Sequence, residues 1–249
     1  MNHNKKKCVA IIEARMTSSR LPGKVLMPAM GKPMLEHLID RLSRVLSIDK
    51  IVVATTINDS DQAIVDFSQA LGVPVFRGSE NDVMARVIGA GEFFDADVVV
   101  EITGDCPIID PDIVEQVIRM HAYHDTSYVS NVQVRSYPDG MDVQVFSLEM
   151  LMQSAAMTRD ELDREHVSLH IRNNPEIFSH VHLVAPPSLH YPELGLTLDE
   201  VDDYKLLVKI IEELAPIDPL FSCQDVLSLL ARNPDWIRIN KNVIRKGDV

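Results

Sequence analysis

Short β-branched apolar runs alternate with helical spacings through the first half of the chain. Cys8 to Ile12, Ile51 to Thr55, Val73 to Phe76 and Val98 to Ile102 are continuous enough to read as buried strands. Between them, Met34, Leu35, Leu38, Leu42 and Val45 place one apolar stripe on a helix opened by Pro33, and Ile64, Phe67 and Leu71 do the same ahead of Gly72. Repeated strand-helix-strand units predict a parallel sheet. Asp110 followed by Pro111 is a helix start, an N-cap and an N1 proline, leading into Ile113, Val114, Val117 and Ile118.

The second half is less regular. Tyr128 to Asn131 and Val143 to Phe146 read as strands around a Tyr137-Pro138-Asp139-Gly140 turn. Glu161 to Arg172, Glu200 to Leu214 and Gln224 to Ala231 carry helical spacing, the last behind a capping-box pair, Ser222 and Asp225. The expectation is one α/β domain over residues 1–249, its central sheet mostly parallel, with about 128–195 inserted as a substrate-facing region.

Composition narrows this picture by exclusion. A chain of 249 residues, 46% of them hydrophobic, can bury a sizeable core within a single domain. Its apolar runs fall far short of the roughly 20 residues a spanning helix needs. Only five apolar residues follow Lys5 to Lys7 before Glu13 and Arg15, so no secretory h-region is expected and the cytoplasm is the expected location. Cys8, Cys106 and Cys223 are odd in number and widely spaced, against a disulfide framework or a Cys-x-x-Cys site. A net charge of −13 disfavours nucleic acid as a partner, so an anionic substrate must be captured locally.

In open parallel sheets ligands sit outside the carboxyl ends of the strands, and the chemistry-bearing residues fall there. After the first strand, Glu13-Ala14-Arg15-Met16-Thr17-Ser18-Ser19-Arg20-Leu21-Pro22-Gly23-Lys24 gathers three cations and several hydroxyls in one loop. Arg15 and Arg20 offer forked donors to phosphate, Lys24 a point charge, and Ser18, Ser19 and Gly23 backbone N–H groups, the outline of a triphosphate cradle. It has neither P-loop nor dinucleotide-fold glycine order, and a solvated basic turn is the plainer alternative. Further on, Asp105 follows the fourth strand beside Gly104, and Asp199 follows Leu196-Thr197-Leu198 ahead of a helix. Magnesium bound to phosphates takes one or two carboxylates, so both are candidate metal ligands, although Asp199 equally suits a helix N-cap. After the third strand, Ser79 and Asp82 have capping-box spacing at the opening of a helix.

The pattern Arg-x-x-Ser-Ser-Arg-x-Pro-x-Lys at residues 15–24, the Gly-Asp-x-Pro at 104–107 with Asp110-Pro111 behind it, and Leu-Thr-x-Asp at 196–199 together resemble the cytidylyltransferases that activate 3-deoxy-manno-octulosonate and acylneuraminate sugars. The segments Arg77 to Arg86, Tyr137 to Val143 and Asp163 to Val167 resemble the spore coat polysaccharide subgroup, extending the likeness over almost the whole chain. One departure is Glu200-Val201 where the family often has Thr-Pro.

The resemblance implies a Rossmann-like nucleotidyltransferase, transfer of CMP from CTP to a sugar with release of pyrophosphate, a homodimer, and a magnesium ion on Asp105 and Asp199. It further implies catalytic roles for Arg15, Lys24 and Asp105, nucleotide contacts from Arg77, Ser79 and Arg86, and acceptor contacts from Asp139, Asp142, Arg164 and His166. A sugar-1-phosphate nucleotidyltransferase, a glycosyltransferase and a non-catalytic nucleotide binder stand as alternatives. His166 and His170 have helical zinc spacing but no third ligand, and Cys106 has no partner base, so neither zinc binding nor a thiol nucleophile is expected.

Overall fold

The protein is described here by a computed structural model over residues 5–245. Strand β1 (Cys8–Glu13) runs through the middle of the sheet; its side chains from Val9 to Ile12 are fully buried. A loop leads to a two-residue hairpin, β2 (Pro28–Ala29) and β3 (Lys32–Pro33), and to helix α1 (Met34–Leu42). Then come β4 (Lys50–Thr56), α2 (Gln62–Ala70), β5 (Val75–Gly78), α3 (Val83–Phe93), β6 (Val98–Thr103) and α4 (Pro111–Tyr123). These strands pair in parallel, β1 with both β4 and β6, and β4 with β5, as the alternation of buried runs and helices predicts.

Residues 128–195 extend this same sheet. Strand β7 (Tyr128–Ser130) is followed by β8 (Gln144–Ser147), α5 (Leu148–Met157), α6 (Glu161–Glu165), α7 (Leu169–Asn173) and β9 (His180–His182). Strand β8 lies antiparallel between β6 and β7, giving the order β5-β4-β1-β6-β8-β7-β9. The chain then returns to the first half through α8 (Val201–Leu214) and α9 (Cys223–Arg232).

Alternation along the strands splits the core into two layers. Cys8, Ala10 and Ile12 face α1, α4, α8 and α9, whereas Val9 and Ile11 face α3, α5 and Phe178. Each fully buried Val, Leu or Ile here contributes roughly 1.5–3 kcal/mol. Glu13 continues the second series and comes out under α3.

Several boundaries differ from the sequence expectation. Pro33 is the N-cap of α1, not its first residue, and the helix ends at Leu42, leaving Val45 buried in the following turn. The predicted helix from Glu161 to Arg172 is two short helices, α6 and α7, because Val167 between them sits at φ 23°, which no α-helix accommodates. That break also separates His166 from His170: the His170 ring lies against Phe178 with Nδ1 3.0 Å from Ser154 Oγ, so the two rings do not share one helix face. Asp82, not Ser79, caps α3, accepting from the Ala85 amide at 2.8 Å, while the Ser79 hydroxyl accepts from the Asp82 amide. Asp110 caps α4, and the Ser222–Asp225 capping box opens α9 as read from the sequence.

Candidate active site

The carboxyl ends of β1 and β6 open into a cleft of about 220 Å³ lined by Glu13, Arg15, Ser18, Ser19, Arg20, Lys24, Arg86, Asp105, His166 and Asp199, among others. Gly23, at φ 72°, makes the left-handed turn that a side chain would strain, and its N–H donates to Met16 O at 2.9 Å. This closes the loop and starts a single 3-10 turn at Lys24, whose side chain is directed inward.

The Lys24 ammonium is 2.8 Å from Asp105 Oδ2 and 3.0 Å from Asp199 Oδ1. Only about a tenth of the Lys24 side chain is exposed, so burial alone would lower its pKa; the two carboxylates outweigh that and raise it. Burial likewise opposes ionisation of Asp105, yet Lys24 brings its pKa below the ordinary carboxylate value. Two carboxylates 94 positions apart in sequence therefore converge on one cation. Their convergence is built by the backbone: Leu198 N–H donates to Asp105 O at 2.8 Å, and the Thr197 hydroxyl donates to the same carbonyl at 3.2 Å.

Asp199 is not a helix cap. The N-cap of α8 is Glu200, which forms a capping box with Asp203, and the Asp199 amide donates to Asp203 Oδ2 at 3.1 Å. Its carboxylate is left for Lys24 and for Arg20, whose Nη2 lies 2.9 Å away. Arg20, read in the sequence as a phosphate fork, also donates to Ile244 O at 2.7 Å and stands 3.7 Å from Glu200. Arg15 pairs more loosely, 3.5 Å from Glu80.

A residue the sequence reading passed over anchors this loop. Asp61 is fully buried and accepts from the Met16 amide at 2.7 Å, the Thr55 hydroxyl at 3.0 Å, and the Thr56 amide and hydroxyl. Burial would raise its pKa, and these donors overcome it and lower it. It stands in a polar stretch, Asn58-Asp59-Ser60-Asp61-Gln62, that reads as ordinary loop, and only the fold distinguishes it from its neighbours.

The remaining sequence candidates divide. Arg86 lines the cleft almost wholly buried, 3% exposed, with one amino group on Ser79 O and Nε unpartnered. His166 reaches the cleft from the end of α6. Ser79 lines an adjoining hollow with Arg15, Glu80 and Arg164. Arg77 is set apart from the cleft: its guanidinium donates to Thr56 O, Asn58 O and Gln62 Oε1, each within 2.9 Å, which binds β5 to the turn after β4. Arg164 is also committed elsewhere, forked onto Asp82 Oδ2 at 2.9 and 2.5 Å with its other amino group on Ala155 O.

Asp139 and Asp142 lie beyond the cleft-lining residues, near each other and near Asp105 in charge. Arg135 is 3.6 Å from Asp139 and 3.4 Å from Asp142, and Arg245 is 3.5 Å from Asp139. Burial and the Asp139 charge push Asp142 up to about 7. Gly140 between them, at φ 101°, lets the turn press against Leu196, where a Cβ would come within 2.6 Å of backbone. Cys106 is buried with its thiol pKa raised well above the ordinary value, first by burial, so it offers no thiolate. Among the described residues no group of three or more His, Cys, Asp or Glu could hold a metal, and no helix is long and apolar enough to cross a membrane.

A mostly parallel sheet thus carries a basic loop after its first strand and, beside the carboxyl ends of β1 and β6, a buried lysine between two carboxylates; with the family match, this is the site of a nucleotidyltransferase. The chain belongs to the cytidylyltransferase family, whose model matches residues 9–210. It is 32% identical over 230 residues to the spore coat polysaccharide biosynthesis protein SpsF of Bacillus subtilis, covering 90% of this chain and 94% of that one. A cytidylyltransferase structure from Leptospira borgpetersenii superposes with a TM-score of 0.89 at 29% identity, over 97% of this chain and 99% of that one. A CMP:2-keto-3-deoxy-manno-octonic acid synthetase complexed with CTP shares the fold, with a TM-score of 0.59 at 20% identity over 84% of this chain and 99% of that one.

Proposed function

We propose that the protein transfers CMP from CTP to a hydroxyl group of a sugar, releasing pyrophosphate, with Mg²⁺ held by Asp105 and Asp199. The observation that carries this reading is the meeting of those two carboxylates on Lys24 beside the loop of Arg15, Ser18, Ser19 and Arg20. Two carboxylates already sharing one cation are a donor set suited to magnesium, which fills its other positions with water and phosphate oxygens. The ion would neutralise charge on the phosphates as it develops.

Transfer of this kind asks for positioning and charge neutralisation more than for covalent help. Lys24 and Arg20 stand nearest the carboxylate pair, and both can turn from Asp199 towards a triphosphate as its oxygens replace that partner. Arg15, more than a third exposed and loosely paired, is free to follow the nucleotide. Gly23 and the Asp61 anchor hold the loop so that these donors do not need ordering at each turnover.

The sugar is assigned to the His166 side of the cleft, with the carboxyl groups of Asp139 and Asp142, beyond the cleft-lining residues, as candidate acceptors for its hydroxyls. Because Arg164 is occupied by Asp82, recognition of an acidic acceptor is assigned to His166. SpsF, named for spore coat polysaccharide biosynthesis, supports a sugar destined for a surface polymer. A homodimer is in keeping with exposed apolar side chains in the second half, among them Met152, Met157, Leu162 and Ile177.

Pyrophosphate release, measured with each nucleoside triphosphate and Mg²⁺ against acidic and neutral sugars and their 1-phosphates, tests the reading. Turnover requiring CTP, Mg²⁺ and a free sugar hydroxyl is expected. Turnover only with sugar 1-phosphates, or none with any acceptor, would overturn it.

A further inference from the structure

Glu13, the last residue of β1, lines the cleft with a carboxyl group that makes no hydrogen bond among the described residues, and its Oε1 is buried without a partner. Burial pushes the Glu13 carboxyl up to about 7; Arg86 opposes this through space without a hydrogen bond, while Asp105 and Glu101 on the neighbouring strand crowd it with like charge. A buried acceptor left without a donor is costly, and it is satisfied when a ligand supplies the donor.

Several backbone groups beside Glu13 are already engaged. Glu13 O accepts from Gly104 N–H at 2.8 Å, Ala14 N–H donates to Ala54 O at 3.3 Å, and Met16 is engaged at both its N–H, by Asp61, and its carbonyl, by Gly23. Gly104 closes this floor so tightly that a Cβ would stand 2.8 Å from Glu13 O. Side chains are the open groups at this end of the cleft: Glu13 is an acceptor without a donor, beside the unpartnered Arg86 Nε, a donor.

A buried carboxyl group offers phosphate oxygens no cation, which keeps the phosphates on the Arg15–Lys24 loop and leaves the neutral, donor-bearing part of the nucleotide for Glu13. In a cytosine that part is the exocyclic 4-amino group; uracil presents a carbonyl oxygen at the same position. Resting on the nucleotidyl-transfer reading above, we propose that Glu13 accepts a hydrogen bond from the 4-amino group of cytosine and is the side chain that selects CTP over UTP. Its position under α3, with Arg86 behind it, holds the carboxylate in place for this contact.

The test is calorimetric binding of CTP and of UTP, each with Mg²⁺, to the wild type and to Glu13→Gln. The amide keeps the volume and offers both an acceptor and a donor, so it accommodates either base. The wild type should favour CTP by at least about tenfold, and the variant should lower that ratio by about tenfold, since a site built to hydrogen-bond a group rejects the analogue lacking it. As a second arm needing no variant, the triphosphate of the pyrimidin-2-one riboside, which lacks the amino group, should bind the wild type at least about tenfold more weakly than CTP. An unchanged ratio in Glu13→Gln, or an amino-free analogue bound as tightly as CTP, overturns the assignment while leaving nucleotidyl transfer standing. Failure of the wild type to bind CTP at all overturns both.

Discussion

Lys24 Nζ sits 3.0 Å from Asp199 Oδ1, a contact spanning 175 positions of sequence. Because Asp105 shares the same ammonium, replacing Lys24 with alanine leaves two half-buried carboxylates facing each other. Turnover of Lys24→Ala should fall by about a hundredfold or more, as for loss of a preorganised electrostatic donor. A second readout is thermal stability: the variant should be destabilised without metal and gain more in Tm from added Mg²⁺ than the wild type does. Equal Mg²⁺ stabilisation of both proteins would count against a shared cation site.

Asp61 offers a way to loosen the Arg15–Lys24 loop without touching the cleft. Asp61→Ala removes four accepted hydrogen bonds and leaves the Met16 amide and the Thr55 and Thr56 donors inside the protein. A loss of about 2–4 kcal/mol in urea unfolding is expected from unpaired buried groups. Below denaturation, CTP affinity should fall as well, through a loop no longer fixed. An unaltered unfolding midpoint would show that the anchor contributes little.

Arg164 separates a structural role from a substrate role. Its fork onto Asp82 ties α6 to the cap of α3, so Arg164→Lys, lacking the fork, should lower stability by about 1 kcal/mol while changing the acceptor KM little. A raised acceptor KM at unchanged stability would instead place the guanidinium on the sugar.

The pH dependence of folding follows from Asp142. Unfolded, this carboxyl titrates near 3.8; folded, burial and the Asp139 charge hold it to about 7. Between those values the native state binds more protons than the unfolded state, so raising the pH through that window favours unfolding. Asp142→Asn removes the effect. Chemical denaturation of metal-free protein should therefore show the wild type losing up to ~3 kcal/mol relative to the variant between pH 4.5 and 7.5. Parallel stability profiles would refute it.

Sequence was most informative where burial is uniform. The strands β1, β4 and β6 declare themselves because both their faces are covered, so they read as apolar runs, whereas the half-buried edge strand β5 runs Val75–Gly78, two residues later than the run Val73 to Phe76. Helix α5 was not anticipated, since Leu-Glu-Met-Leu-Met-Gln-Ser-Ala-Ala-Met has no glycine or proline to punctuate it, and β9 is only His-Val-His. The break at Val167 carries no local signal either, as valine at positive φ is held there by tertiary packing. At the site, the order of residues from Arg15 to Lys24 was sufficient to find the loop. What it could not show was partnership: Arg77 and Arg86 look alike in sequence, yet one is consumed by backbone carbonyls and the other lines the cleft. Glu13 and Asp61 went unremarked for the same reason, because an acidic residue signals nothing until its donors are counted.

Arg20 donates to the carbonyl of Ile244, 224 positions away, and Arg245 grips Asp203 at 2.9 Å beside Asp199. During synthesis, β1, β4, β5 and β6 can assemble long before residues 240–245 leave the ribosome. A nascent chain would thus possess its central scaffold while a brace beside Asp199 was still missing, so full order at the cleft should wait until residues 240–245 have emerged.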